Sequence, residues 1–160
     1  NNFGNLCQRV FSFIKKNCNN RIPENKNNNE IDKKLLNNLH NNVPNLINLM
    51  NKQNLNEYIK QVVSFSFEAN KYFNDSEPWS VKKKDKERMN SILNTVTQQI
   101  KNISILLYPI IPNSTIKVLK TININESDIK LSNITNQNIL NHNIELNNLE
   151  ILFTKIENDN

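Results

Sequence analysis

An all-α fold, a helical bundle of about five helices with a short C-terminal tail, is what this sequence predicts, and three observations carry the reading. Apolar residues recur at three- and four-residue spacing in the long segments, the period of a helix buried along one face. The 160 residues hold one glycine and 7% aromatics, too few for the many turns of a β-sandwich or barrel. Clusters of Asn, Asp, Ser and Pro fall between the periodic stretches and leave short connections. The length fits a single domain over 1–160, with a bundle core over about 1–121 and an Asn-rich extension over 122–160.

The first helix is expected over residues 2–18. Phe3, Leu6, Val10, Phe13 and Ile14 form its apolar stripe, while Asn5, Arg9, Ser12 and Lys16 repeat on a different face. A polar linker, 24–29, leads to a second helical region over 30–52. Its stripes are Ile31, Leu35, Leu36 and Leu39, then Leu46, Ile47, Leu49 and Met50. Pro44 lies between them and is expected to open a new segment, since proline is tolerated in a first turn but not mid-helix. Asn54, with Glu57 three residues on, reads as the N-cap and capping-box partner of a third helix. Leu55, Ile59, Val62, Val63, Ala69 and Phe73 carry its apolar face, and the turn formers 74–78 stop it just before Trp79, the only tryptophan. The fourth helix, 84–108, is the clearest: Met89, Ile92, Leu93, Val96, Ile100, Ile103 and Leu107 keep the period until Pro109 and Pro112 end it. A short fifth helix follows over 114–119. The rest is Asn-rich and weakly periodic, apart from an apolar cluster at Leu149, Ile151, Leu152, Phe153 and Ile156.

Composition narrows the function classes. One glycine, Gly4, excludes any Gly-rich phosphate loop or dinucleotide fingerprint, which need several for close backbone approach. The longest apolar stretch, 103–112, is too short to cross a bilayer, so no membrane role is expected. The start, Asn-Asn-Phe-Gly, has neither an initiator Met nor a signal peptide, and reads as the interior of a longer chain. A net charge of +5 suits a polyanionic partner. Cys7 and Cys18 are eleven positions apart on one predicted helix, roughly 16 Å at ~1.5 Å per residue, too far for a disulfide. Reduced thiols and a cytoplasmic location follow. No Cys/His cluster offers a metal site, and His40 and His142 are expected to be solvated surface residues.

Three separated segments carry a resemblance. The first is Phe3-Gly4-Asn5-Leu6-Cys7-Gln8-Arg9-Val10. The second is Asn70-Lys71-Tyr72-Phe73 followed by Pro78-Trp79. The third is Ile105-Leu106-Leu107-Tyr108-Pro109-Ile110-Ile111-Pro112. In order and spacing they resemble the "GNL…R", "NKY…APW" and "LLxPxxP" motifs of the bacterial methionyl-tRNA synthetase family, in its anticodon-binding domain. Leu152-Phe153-Thr154-Lys155-Ile156-Glu157 is similar to the family's C-terminal "LFPRIE", with Thr154 and Lys155 in place of Pro-Arg; Glu77 stands where Ala is common before Pro-Trp. The resemblance implies a helical bundle that follows a Rossmann-type catalytic domain and binds the CAU anticodon of methionine transfer RNA. It implies Asn5, Arg9 and Trp79 as the anticodon-reading residues. The HIGH-like and KMSKS-like motifs and the zinc insertion have no counterpart here. The fragment alone is therefore expected to be inactive, with ATP and methionine bound by the catalytic domain of the parent ligase and no cofactor or DNA bound here.

The residues support that reading chemically. Asn5 and Arg9 are four apart and share a helical face; an amide and a guanidinium fork together can satisfy the edge of one splayed-out base. From pattern alone, the same pair is equally a solvated polar face. Trp79, stiffened by Pro78, can stack on a base or plug the core at a helix junction. Lys82, Lys83, Lys84, Lys86 and Arg88 suit phosphate contacts, or form an ordinary charged helix start. Asn70 and Tyr72 are expected to brace the turn that presents Trp79. An anticodon domain of another class Ia synthetase and a helical module with no RNA role are the alternatives. The apolar segment 149–156 is expected to dock on the catalytic domain.

Overall fold

A computed structural model of the chain describes residues 2–148. Six α-helices follow in order: α1 (Asn2–Asn17), α2 (Glu30–Asn51), α3 (Leu55–Ser76), α4 (Pro78–Val81), α5 (Lys86–Leu107) and α6 (Pro112–Thr121). The five expected helices are present, and α4 is an added single turn inside the Pro-Trp segment. Three short 3₁₀ turns follow between Glu126 and Ile139. The sole pairing of extended backbone among the described residues is a bridge between Arg21 and Glu145. The expected docking segment 149–156, with its "LFPRIE"-like stretch, lies outside the described residues.

Capping sets the helix starts. Asn29 Oδ1 accepts the Asp32 N–H at 3.0 Å, and Asp32 Oδ2 accepts the Asn29 N–H at 3.1 Å, a reciprocal pair that begins α2. Asn54 caps α3 through the Glu57 N–H, and Asp85 caps α5 through the Arg88 N–H. Pro112 takes the first position of α6, where its missing N–H costs nothing. Pro44, expected to open a new segment, instead lies within a continuous α2. It is exposed, and Leu39 and Leu46 on either side are buried in the core. Packing on both flanks holds the helix through one lost hydrogen bond. The α2 stripe is also rotated from the sequence expectation. Ile31 is 63% exposed, and Asp32 turns inward instead.

The centre of the bundle is α5, which packs against α1, α2, α3, α4 and α6. Helices surrounded in this way are usually apolar all round, yet α5 buries Asn94, Thr95, Gln98, Gln99, Lys101 and Asn102. Two irregular segments supply partners for Asn94, Gln98 and Lys101, while Gln99 Nε2 donates to the Leu35 carbonyl of α2 at 3.4 Å. Asn94 Nδ2 donates to the Pro23 carbonyl at 2.9 Å, and Gln98 Nε2 donates to the Gln137 carbonyl at 2.9 Å. Lys101 Nζ donates to the carbonyls of Asn133, Ile134 and Asn136 at 2.8, 3.3 and 3.0 Å. Burial pushes this ammonium down to about 7, against three acceptors that favour its charged form.

The bundle core expected to end near 121 therefore runs on. Ile122, Ile124, Ile134, Leu140 and Leu146 are all buried in it, and the chain returns to pair with residues 20–22 through Asn143 N–H to Ile22 O and Leu146 N–H to Asn20 O. The hydrophobic period fails in this segment because its burial is made by turns and carbonyls, not by a helix face. His142 is exposed, but His40 is only half so. Burial and the neighbouring Lys101 charge lower the His40 pKa, against a hydrogen bond that the ring donates to the Ile134 backbone. Cys7 and Cys18 are free thiols, each pushed up by burial.

Candidate nucleic-acid interface

The α1–α3 pair and the turn after α3 form one surface. Along α1, Phe3, Leu6, Val10 and Ile14 are buried and Asn5 and Arg9 are exposed, so the polar face of the stripe is the one left to solvent. At the end of α3, Glu77 adopts a left-handed backbone, φ 46° and ψ 58°, where a Cβ costs roughly 1–2 kcal/mol. That reversal ends α3 and starts α4 at Pro78, which is buried. Trp79 follows, 37% exposed, and meets the Phe73 ring edge-on with centroids 5.7 Å apart and planes at 77°. It is not a core plug. Phe13 of α1 packs on the same Phe73 ring at 6.3 Å.

Arg9 reaches this ring from the other helix. Its guanidinium carbon lies 5.1 Å from the Phe73 centroid, a cation–π contact. Arg9 Nη2 donates to Asn74 Oδ1 at 2.6 Å, and Nη1 to Asn70 Oδ1 at 3.4 Å. Asn70 is held in turn, its Nδ2 donating to Asn2 Oδ1 at 2.9 Å and to the Asn2 and Ser66 carbonyls. The guanidinium is thus fixed in position with three of its five donors uncommitted among the described residues. Asn5, one turn before Arg9, is exposed and its side chain has no hydrogen-bond partner among the described residues. A donor fork and an indole therefore border one buried phenylalanine, and a free amide lies one turn along α1 from the fork.

Several expected roles fall differently. Asn70 does not brace the Trp79 turn, because its amide is taken by Asn2, Ser66 and Arg9. Tyr72 does not brace it either: its hydroxyl donates to Asp32 Oδ1 at 2.5 Å, on the α2 side of α3. The residue that touches Trp79 is Phe73, read from the sequence only as part of an apolar face. Asn74, read as a turn former, holds Arg9; its place four residues after Asn70, on one helical face, was the available signal. Arg88, expected at phosphate, is committed inward. It pairs with Asp32 at 2.6 and 2.9 Å, and the Asp32 carboxylate is wholly buried.

Burial alone would raise the Asp32 pKa, but hydrogen bonds from Arg88, Tyr72 and the Asn29 N–H, with the Arg88 charge, hold it below the ordinary carboxylate value. Burial first, and then the bond to Asp32, push the Tyr72 phenol upward. Lys82, Lys83 and Lys84 are exposed beyond Trp79. Lys82 Nζ donates to Asn17 Oδ1 at 2.9 Å, which sets this basic turn beside the end of α1, where Lys15 and Lys16 lie. Among the described residues, no group of three or more His, Cys, Asp or Glu gathers as metal ligands, and no helix is long and apolar enough to cross a membrane.

Comparison with known proteins gives a consistent likeness. A family model described as the anticodon binding domain of methionyl tRNA ligase matches residues 22–160. A methionine–tRNA ligase of Rickettsia felis is 29% identical over 163 residues, an alignment covering 99% of this chain and 32% of that protein. A probable cytoplasmic methionine–tRNA ligase of Dictyostelium discoideum is 35% identical over 126 residues, 78% of this chain and 17% of the relative. The free-state crystal structure of Mycobacterium tuberculosis methionyl-tRNA synthetase superposes with a TM-score of 0.89 at 22% identity, over 96% of this chain and 32% of that one. The chain spans a third or less of the length of these proteins. The family match begins after α1, so Asn5 and Arg9 lie outside it, but within the reach of the Rickettsia alignment.

Proposed function

Since the chain belongs to the family of methionyl-tRNA ligase anticodon-binding domains, we propose that it is the part of a cytoplasmic methionine–tRNA ligase that recognises the CAU anticodon of methionine transfer RNA. In this reading Trp79 stacks on the first anticodon base, and Asn5 and Arg9 take its hydrogen-bonding edge. Lys82, Lys83 and Lys84 contact phosphates, which position the loop without reading it. The parent enzyme joins methionine to its transfer RNA with ATP, and the catalytic domain that does so is this chain's partner in the same polypeptide. The fragment supplies no catalytic residue.

One observation carries the proposal: the Arg9 guanidinium, seated on Phe73 and aimed by Asn74, borders the same ring as the half-exposed Trp79. A fork with spare donors beside a stacking face is what a single unstacked base requires. Asn70 and Asn74 fix that fork before RNA arrives, which lowers the ordering cost of binding.

The test uses anticodon stem-loops carrying CAU, UAU and GAU, titrated against the chain while the fluorescence of its single tryptophan is followed. Stacking predicts quenching by every loop, and tightest binding by CAU. Trp79→Ala, which lacks that reporter and is followed instead by the anisotropy of labelled stem-loops, should weaken all three by ~1–3 kcal/mol. Arg9→Ala and Asn5→Ala should weaken binding and mainly erase the preference for cytosine. Full retention of that preference in both variants would remove base reading from these residues. Equal, weak binding of all loops by the unaltered chain would favour a helical module with no RNA role, or a domain of another class Ia synthetase.

A further inference from the structure

Of the six large hydrophobic side chains exposed among the described residues, four are aliphatic and two aromatic: Trp79 and Phe67. Phe67 is 59% exposed, more than Trp79. Nothing in the arrangement above uses it, and its position is not random. At 100° per residue along α3, Phe67 shares a face with Asn70 and Asn74, one and two turns further on. Those are the two asparagines that hold Arg9.

The two exposed aromatics thus flank the Arg9 cluster. Trp79 lies at one end, through Phe73. Phe67 lies at the other, beside Asn70 and its contact with Asn2 at the start of α1. Asn5 lies between Asn2 and Arg9 along α1, and Phe67 lies one turn before Asn70 along α3, so the free amide and the second ring fall on opposite sides of the Asn2–Asn70 contact. Phe67 and Asn74 are seven residues apart, ~10 Å along the axis. That is about three base steps at ~3.4 Å.

The charges nearby are nearly balanced, with exposed Lys60 two turns before Phe67 on the same face against the Glu68 carboxylate beside it. Lys71, four residues after Phe67, neutralises Asp75 at 2.6 Å, and Glu68 is taken up by the Asn38 amide on the α2 side. A phenyl ring 59% exposed among the described residues offers a π-face and no hydrogen-bonding group, which suits stacking without sequence preference.

We infer that Phe67 is a second base-stacking platform, which takes a nucleotide of the same loop on the far side of Arg9 from Trp79. The inference rests on the anticodon reading above and extends it from one base to a bracketed stretch. Its consequence is a division of labour: Phe67 holds the strand at one end, and Trp79 with the Asn5–Arg9 pair stacks and reads the base at the other.

The experiment places 2-aminopurine, whose fluorescence falls on stacking, at each position of the anticodon loop in turn. Each labelled CAU stem-loop is titrated with the full chain and with Phe67→Ala, Phe67→Leu, Phe67→Tyr and Trp79→Ala. Phe67→Ala should lose quenching at one loop position and weaken binding ~5- to 150-fold, the value of one base–aromatic stack. Trp79→Ala should lose quenching at a different position. Phe67→Leu should behave as Phe67→Ala, because bulk without a π-face cannot stack, and Phe67→Tyr should bind as the unaltered chain does. The Phe67 side chain is largely in solvent, so thermal melts of its three variants should stay near that of the unaltered chain. Binding within twofold for Phe67→Ala, or full rescue by Leu, overturns the inference. If Trp79→Ala weakens the complex while Phe67→Ala does not, only the second platform falls. If the unaltered chain binds no loop, the anticodon reading falls with it.

Discussion

Replacing Asp32 with Ala tests how the surface is held in place. The carboxylate is fully buried and accepts four hydrogen bonds: two from Arg88 at 2.6 and 2.9 Å, one from the Tyr72 hydroxyl at 2.5 Å and one from the Asn29 N–H at 3.1 Å. It thereby ties α2, α3 and α5 at one point, next to the α3 turn that carries Phe73 and Asn74. Asp32→Ala leaves a guanidinium and a phenol facing a void and removes half of a capping box. Breaking a buried ion pair from one side costs ~3–5 kcal/mol. The Arg88 side chain is 23% exposed, so water can reach part of it and the lower end applies. At ~2–4 °C per kcal/mol for a chain of this size, ~3 kcal/mol corresponds to a Tm loss of ~6–12 °C.

Helix signal followed through a thermal melt is the assay. Arg88→Met on top of Asp32→Ala should recover part of the loss, since a paired removal leaves no stranded charge. The pH dependence has a fixed sign. Asp32 has a lowered pKa when folded, so its contribution is present above the ordinary carboxylate value and is lost as pH falls through the folded one. Asp32→Asn should flatten that acid limb. A melt shift under ~3 °C for Asp32→Ala, ~1 kcal/mol on the same scale, would refute the account of this pair as the pin of the bundle.

Two further outcomes are expected. Lys83 is exposed, and Lys83→Ala should weaken every stem-loop evenly while lowering the salt slope of binding by about one, as loss of one phosphate contact does; a change in base preference would count against it. Lys101, pushed down to about 7 by burial, binds fewer protons folded than unfolded between that value and its ordinary one. This group should therefore add stability from pH 7 to 8.5, by at most ~1.4 kcal/mol per pH unit, against an opposing loss from the two buried thiols, which begin to ionise in the unfolded chain near 8.5. Melts of the unaltered chain and Lys101→Met over that range check it, and identical slopes would show that the ammonium does not titrate there.

The helices were readable because each obeys a local rule. The period in α1, α3 and α5, the Asn54 cap and the proline stops all act within a few residues along the chain. What escaped were pairings between residues far apart. Asp32 looks like one more acid in a first turn, and nothing local tells that Arg88 reaches it from fifty-six positions away. Pro44 breaks a local rule and is overruled by the burial of Leu39 and Leu46 on either side. The residues 122–146 show no period, because their burial is decided by α5: its inward amides and Lys101 require acceptors, and that segment supplies carbonyls.

The candidate surface divides the same way. Asn5 and Arg9 on one face of one helix, and Trp79 behind a proline, are statements about spacing that fit a solvated face and a core plug equally well; the motif resemblance is what selects them as a site. That Arg9 lies over Phe73, that Asn74 rather than Asn70 holds it most closely, and that Tyr72 faces away toward Asp32 required the packing of α1 on α3. So did the place of Phe67. A sequence determines which residues share a helical face, because the helix repeat is a property of the backbone itself. Which face meets solvent and which meets a neighbour is decided only when the helices pack, because burial is settled by the whole set of surfaces competing for one core.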